Sequence, residues 1–327
     1  MKALLTAPIH KEAVRMLEDS GFQILYREYP SESELVKLVE DVDVLFVRSK
    51  PLVTAEVINS AKKLKIIARA GVGLDNIDVR TAEARGIKVI NTPEAPTRSV
   101  AELVFGLTLA LARRISYSDR KMREGKWVKK EAEGFELKGK TLGVVGLGRI
   151  GREVALIATK GFGMRVIYYD PYRLDPQAEQ ELGVTYTDLD TLLRESDVVT
   201  LHVPLTPQTR YLIGEGRLRL MKRSAVLINT SRGGVIDTQA LIKALNEGWI
   251  AGAGLDVYEE EPLPPNHPLT AFKNVVLAPH AASATYDARH GMAEVGAENL
   301  LAFYEGRTPP TLVNREVVEV RPPGFAC

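Results

Sequence analysis

Two residues with chemistry to offer sit just past apolar runs. In "AVLINTSRGGVID", Arg232 follows a run that reads as a buried strand and precedes Gly233 and Gly234, where backbone can come close to a ligand. A guanidinium there is costly to place without a partner, so an anion is implied. In "NVVLAPHAAS", His280 follows a second such run and a proline. Open α/β sheets bind ligands beyond the carboxyl ends of their strands, which makes His280 the leading acid/base candidate among five histidines. His202, in "VTLHVPLT", reads as structural, His10 and His267 as surface residues, and His290 as a packing or exposed position on a helix. A third run, "AGAGLDVYEEEP", ends in four acids. Asp256 lies within the apolar strand end, unlike a solvated acid. Of Glu259, Glu260 and Glu261 only one need turn inward. Residue type does not choose among them, although Pro262 restricts Glu261 most.

A second constellation precedes these. "TLGVVGLGRIGREVALIA" reads as a strand, a Gly146-x-Gly148-x-x-Gly151 turn and an amphipathic helix. Gly146 suits the tight turn, Gly148 the approach of a pyrophosphate, and Gly151 the packing of helix on strand. The N–H groups at Arg149 and Ile150 open the helix and offer its positive dipole end to phosphates. Asp170 closes the next apolar run, "MRVIYYD", 19 residues past Gly151. That spacing suits a carboxylate on an adenosine ribose, so a dinucleotide is expected. A carboxylate repels a 2′-phosphate, which favours NAD over NADP, with Arg173 as the nearby cation that argues the other way.

Strands at these places need a layered scaffold. "ALLT" at 3, "FQIL" at 22, "DVLFV" at 43, "KIIAR" at 65 and "IKVIN" at 87 alternate with helical stretches, one of them opened by a capping box at Ser31 and Glu34. A second alternating series holds "TLGVVG" at 141, "MRVIYYD" at 164, "DVVTLHV" at 197, "AVLIN" at 225, "AGAGLDV" at 251 and "NVVLAP" at 274. A long helix from Ser99, with a capping box to Glu102, to about Arg123 precedes the second series, and another, Tyr286 to Tyr304, follows it. The expectation is an α/β protein with two doubly wound parallel sheets. Residues 99–284 form an inserted dinucleotide-binding domain, and residues 1–98 with 285–327 form the discontinuous domain around it.

Composition bounds the partners. The chain has 327 residues, 45% hydrophobic and 26% charged, with a formal net charge of +1. Neither nucleic acid nor an anionic membrane surface is implied. The single cysteine, Cys327, allows no disulfide and no cysteine-based metal site within one chain, and no metal is called for. The N-terminus lacks a signal-peptide core, and the longest apolar run, "VAELVFGLTLALA", is short and interrupted by Glu102 and Thr108. A cytoplasmic protein is expected.

Together, "NTSRGGVID", "GLDVYEEEP" and "APHAASAT" resemble the signatures of the D-isomer-specific 2-hydroxyacid dehydrogenases, and "RAGVGLDNID" and "NTPEAPTRSVAEL" extend the resemblance over nearly the whole chain. It implies a Rossmann domain inserted in a flavodoxin-like substrate domain, a homodimer, and a catalytic set of Arg232, Glu261 and His280. His280 would exchange a proton with the substrate hydroxyl during hydride transfer, Glu261 would fix its tautomer, and Arg232 would grip the α-carboxylate. Backbone N–H groups of Val72 and Gly73 would hold the same carboxylate. The resemblance also places Asp256 at the nicotinamide carboxamide and Thr206, Thr230 and Ser283 near the cofactor. Where the family often has Ile-Gly-Gly or Ile-Gly-Ser after the histidine, this chain has Ala281-Ala282-Ser283.

The substrate is a small 2-hydroxy or 2-oxo acid. "ARAGVGLDNID" and "PEAPTRSVAEL" are most similar to D-3-phosphoglycerate dehydrogenases, and Arg48 and Arg69, both at strand ends, suit a substrate phosphate. Oxidation of D-3-phosphoglycerate for serine biosynthesis is therefore the leading expectation. The tail "PPTLVNREVVEVRPPGF" resembles glyoxylate and hydroxypyruvate reductases instead. A dinucleotide-sensing corepressor is the alternative from another class. Too few residues follow Tyr304 for a further regulatory domain to be expected.

Overall fold

The computed structural model describes residues 1–314. The part of the reductase-like tail from residue 315 onward lies outside them. The chain divides into two compact units, Met1–Pro96 with Ser283–Cys327, and Thr97–Ala282.

The first unit holds β1 (Lys2–Leu5), β2 (Gln23–Tyr26), β3 (Val44–Val47), β4 (Ile66–Arg69) and β5 (Lys88–Asn91). They form one parallel sheet in the order β2-β1-β3-β4-β5, so the chain reverses direction across the sheet between β1 and β3. β3 is buried along its whole length, as a strand covered on both faces must be. The pleat sends alternate residues to opposite cores. Ala3, Leu5, Phe46 and Ile90 enter one; Leu4, Leu45, Val47 and Val89 enter the other. Ser31 caps the helix Glu32–Leu38 by the expected box, its hydroxyl accepting from Glu34 N at 3.3 Å while Glu34 accepts from Ser31 N at 2.9 Å. The helix Tyr286–Tyr304 returns to this unit and packs on the helix Lys11–Asp19 and on β4 and β5. Asn314 then ties the end of the segment to β5, accepting from Val89 N and donating to Ile87 O, both at 2.8 Å.

The second unit carries β6 (Thr141–Val145), β7 (Arg165–Tyr169), β8 (Val184–Tyr186), β9 (Val198–Leu201), β10 (Val226–Asn229), β11 (Gly252–Leu255) and β12 (Val275–Leu277). Their order is β12-β11-β10-β9-β6-β7-β8, all parallel. The chain winds outward from β6 through β7 to β8, then restarts at β9 and winds the other way. The switch point is the β6/β9 pair, where open α/β sheets bind ligands. β8 had no sequence signal: it is a three-residue edge strand with one buried residue.

The long helix expected from Ser99 to about Arg123 is two helices, Thr97–Ala112 and Ile115–Arg123, with Arg114 at φ 50° between them. The break has a packing cause. The segment at Gly134–Phe135 returns onto the first helix's end, and Phe135 N donates to Ala112 O at 2.9 Å. A Cβ on Gly134 would stand 1.9 Å from that same carbonyl. The capping box expected at Ser99 is also corrected. The helix begins at Thr97, Ser99 is buried within it, and Glu102 accepts from Arg98 Nε at 2.7 Å instead. Among the described residues no helix is long and apolar enough to cross a membrane.

Candidate active site

At the switch point the three glycines of the β6 turn do different work. Gly146 has φ 94°, and a Cβ there would come within 2.9 Å of the His202 backbone at the end of β9. Gly151 lies under the turn, where a Cβ would stand 2.2 Å from Gly146 O. Around Gly148 a Cβ would meet nothing within 4 Å. Two glycines are thus required by protein packing, and the third leaves open space at the N-cap of the helix Arg149–Phe162. Open space before the first N–H groups of a 14-residue helix fits a pyrophosphate. Thr230, past the end of β10, adds a buried hydroxyl with no hydrogen-bond partner among the described residues. An orphaned polar atom of this kind fits a bound group that completes it.

Asp170, past the end of β7, faces the same turn. Its carboxylate accepts from Leu147 N and from Tyr172 N, each at 2.8 Å. Arg173 is engaged elsewhere: its Nε and Nη2 donate to the two oxygens of Glu179 at 2.9 and 3.1 Å, and its guanidinium lies over the Tyr186 ring. The guanidinium holds the Glu179 carboxyl below its usual range. Tyr168 OH also donates to Glu179, at 2.8 Å. The one cation close in sequence to Asp170 is therefore held by a carboxylate rather than offered to a 2′-phosphate. NADH is expected to be preferred over NADPH, and Asp170→Ala to narrow the ratio of kcat/KM values by about tenfold to a hundredfold, the scale of one charge-assisted contact. Measuring both cofactors in both proteins checks this; a wild-type preference for NADPH overturns it.

Arg232 lies on a turn built by its neighbours. Asn229, fully buried at the end of β10, accepts from Ser231 N and Oγ and donates to Arg232 O at 2.9 Å. Arg232 then caps the short 3-10 turn Gly233–Val235. Gly233 has to be glycine, because a Cβ would sit 1.9 Å from the Tyr258 carbonyl carbon. That contact locks the Arg232 turn onto the segment leaving β11. The half-buried Arg232 side chain donates from Nη1 to Ser231 O at 2.7 Å.

The acidic run after β11 is divided by the structure. Glu259 accepts from Thr238 N and Tyr211 OH, at 3.0 and 2.7 Å, and so organises the neighbouring helix start. Glu260 is exposed. Glu261 turns to His280: its Oε2 lies 2.6 Å from His280 Nδ1, and its Oε1 accepts from Tyr258 N at 3.0 Å. An ionised carboxylate only accepts, so Nδ1 carries the proton and Nε2 is the ring nitrogen turned to other use.

His280 itself has φ 52°, an unusual conformation for a residue with a Cβ. Asp256 holds it there. Its backbone carbonyl accepts from His280 N at 2.8 Å, and its two carboxylate oxygens accept from Ala281 N and Ala282 N at 2.8 and 2.9 Å. Three successive N–H groups are gathered by one buried residue. Burial raises the Asp256 carboxyl above its ordinary value, and the two N–H donors oppose that rise. The Asp256 side chain, expected at the nicotinamide carboxamide, braces the His280 turn. Tyr258, which the residue pattern did not single out, joins the ends of β11 and β12 by donating to Ala278 O at 2.8 Å.

The remaining candidates are less concentrated. His202 contacts Thr200 Oγ1 at 3.0 Å, and burial depresses its pKa to about 3, so it is neutral at physiological pH. Thr206 is tied to Thr209, whose hydroxyl accepts from Thr206 N at 2.8 Å. In the first unit, Arg48 follows β3 and Arg69 ends β4. The Arg69 guanidinium lies over Gly71, and its Nη1 donates to Ala70 O at 3.2 Å. Burial, and then the like charge of Arg289, lower the Arg48 pKa. Val72 is exposed, its carbonyl accepting from Asn91 Nδ2 at 2.8 Å, and Gly73 follows it on the same turn. Ser283 opens the second segment of that unit.

Residues 105–282 match the D-isomer specific 2-hydroxyacid dehydrogenase NAD-binding domain. The chain belongs to the D-isomer-specific 2-hydroxyacid dehydrogenase family. It is 55% identical to a glyoxylate reductase of Korarchaeum cryptofilum, over 99% of each chain, and 51% identical to a glyoxylate reductase of Thermococcus litoralis, over 98% of this chain and 99% of that one. Among solved structures, the TT0316 protein of Thermus thermophilus is 43% identical with a TM-score of 0.87, covering 96% of this chain and all of that one. Membership fixes the reaction class as NAD-dependent oxidoreduction of a 2-hydroxy acid. It also explains the pattern of the second unit: β10, β11 and β12 are neighbours, and Arg232, Glu261 and His280 all follow their carboxyl ends.

Proposed function

We propose that this dehydrogenase acts mainly as a reductase of short 2-oxo acids, with glyoxylate and hydroxypyruvate preferred to phosphohydroxypyruvate. The observation that carries the reading is full-length identity of about half to proteins named glyoxylate reductase, joined to the His280–Glu261 hydrogen bond of 2.6 Å. NADH, when bound, supplies the hydride. Arg232 grips the substrate carboxylate with its planar fork and polarises the C2 oxygen. His280 gives its Nε2 proton to that oxygen as C2 is reduced, and takes it back in the opposite direction. Glu261 keeps the Nδ1 proton in place. Asp256 acts through the backbone by holding the turn that carries His280.

Phosphoglycerate oxidation, the leading expectation from "ARAGVGLDNID" and the pair Arg48 and Arg69, has less support. Arg69 is spent partly on covering its own turn, and both glyoxylate reductase relatives carry another substrate in their names. A phosphate without dedicated cations loses hydration it does not recover. That costs about 1–3 kcal/mol, or roughly a tenfold to hundredfold loss in kcat/KM. Rates with NADH and each of the three oxo acids test this. Glyoxylate or hydroxypyruvate is expected to lead by at least about tenfold; a lead by phosphohydroxypyruvate restores the phosphoglycerate reading. A homodimer remains part of the proposal, carried by the family resemblance.

A further inference from the structure

We propose that His10, Glu12 and His290, none of them a residue given a part in the dehydrogenase chemistry, form a binding site for a divalent transition-metal ion in the first unit, zinc being the simplest fit. One ligand atom from each of the three lies within 4.8 Å of the other two. His10 and His290 meet with ring centroids 4.3 Å apart and planes at 75°, the edge of one ring toward the face of the other.

Local structure frees these side chains for the purpose. His10 occupies the N-cap position of the helix Lys11–Asp19 but makes no capping hydrogen bond. Its Nδ1 is buried and faces the Glu12 carboxylate in an ion-pair contact. Its other nitrogen, Nε2, is 3.0 Å from Tyr286 OH. Across from it, His290 sits one turn beyond Tyr286 on the helix Tyr286–Tyr304, and its Nδ1 is 3.7 Å from Glu294 Oε2. Metal-bound histidines usually donate their second ring N–H to an oxygen partner, which sets the tautomer and strengthens the ligand. His10 has that partner in Tyr286, and the Glu294 carboxylate stands beside His290 Nδ1, just beyond hydrogen-bond reach. The nitrogens that would turn to the ion are then His10 Nδ1, which would exchange its contact with Glu12 for the metal, and His290 Nε2, and Glu12 adds a carboxylate oxygen.

Two imidazoles and a carboxylate are a borderline donor set, suited to zinc, cobalt or nickel rather than magnesium or calcium. Ligands of a tetrahedral zinc ion at about 2.0–2.2 Å stand roughly 3.3 Å apart, so rotamer shifts of about 1–1.5 Å, which draw His290 in and part His10 from Glu12, complete the set. Three protein ligands leave a fourth position for water. His10 and Glu12 come from the first segment of the unit and His290 from the second, so an ion here clamps the two segments that make this unit discontinuous. Its work would be to stabilise this unit, with no step in hydride transfer.

The full-length protein, freed of metal, is dialysed against zinc at graded free concentrations, and bound metal is measured alongside Tm. His10→Gln and His290→Gln are treated in parallel, each first checked for wild-type Tm without metal and wild-type dehydrogenase activity. The wild type is expected to take up one zinc with a Tm rise on the order of a few degrees. Each variant is expected to bind at least about 10–100-fold more weakly, the loss seen even for supporting residues of such sites. Cobalt in place of zinc should give four-coordinate visible absorption in the wild type alone. Zinc bound equally by all three proteins would put the ion elsewhere, at His280 and Glu261 for example, and overturn the site. So would no uptake by the wild type at micromolar zinc.

Discussion

Arg232→Lys is expected to keep the fold and lose about 10²–10³-fold in kcat/KM for the preferred oxo acid, the scale of removing one pre-oriented donor from a developing oxyanion. The charge stays, so simple attraction of an anion is retained. What is lost is the planar fork, which meets a carboxylate through two parallel hydrogen bonds and reaches the neighbouring oxygen as well. The guanidinium gives the turn one contact, to Ser231 O, while Asn229 shapes it through the backbone and Gly233 locks it against Tyr258. Unchanged Tm together with lowered kcat/KM separates a lost contact from a lost fold. A variant with near-wild-type kcat/KM removes Arg232 from the role proposed for it.

Much of this scaffold is written in residue patterns that need no tertiary information. Buried parallel strands are short continuous apolar runs, because helices cover both faces. Among the described residues, eleven of the twelve strands fall on runs visible in the sequence, and β8 does not, because an edge strand of three residues with one buried position needs no such run. The glycine turn is legible for a related reason. Gly146 and Gly151 are required where no Cβ fits, and Gly148 stands where space is kept. The break at Arg114 was illegible because its cause is distant in sequence, at Gly134 and Phe135, while locally the helical periodicity continues.

Within the candidate site, the sequence singled out the candidate side chains and missed what holds them. Glu259, Glu260 and Glu261 are alike as residues, and only the fold separates the acid that meets His280 from the one that serves Thr238 and Tyr211. Asn229 and Tyr258 work by bonding to backbone atoms, which leave no trace in residue type. Asp256 did leave a trace, as an acid inside an apolar strand end. Its purpose became clear only when three N–H groups of the His280 turn were found converging on it. A left-handed histidine persists when its surroundings over-determine it, and Asp256 supplies that constraint.

The largest effect is expected at His280. His280→Gln removes the proton donor and should lower kcat by about 10²–10⁴-fold, the usual contribution of a positioned acid/base group. Glu261→Gln tests whether Glu261 acts through the histidine. The Glu261 carboxylate now serves two donors, His280 Nδ1 at 2.6 Å and Tyr258 N at 3.0 Å. A glutamine has one carbonyl oxygen for the two. If it keeps Tyr258, its amide N–H₂ faces Nδ1 and selects the tautomer with the proton on Nε2 and no charge to support a protonated ring. If it keeps His280, the backbone at Tyr258 loses its acceptor and the segment that supports Gly233 loosens. Either way the imidazole is less able to hold both protons while the 2-oxo acid binds, so reduction slows with KM for NADH little changed. Because both substitutions disable one device, their effects should not add. The double variant is expected to match His280→Gln alone within a few-fold. Losses that multiply would show that Glu261 contributes independently of His280, and the pairing proposed for the mechanism would fall.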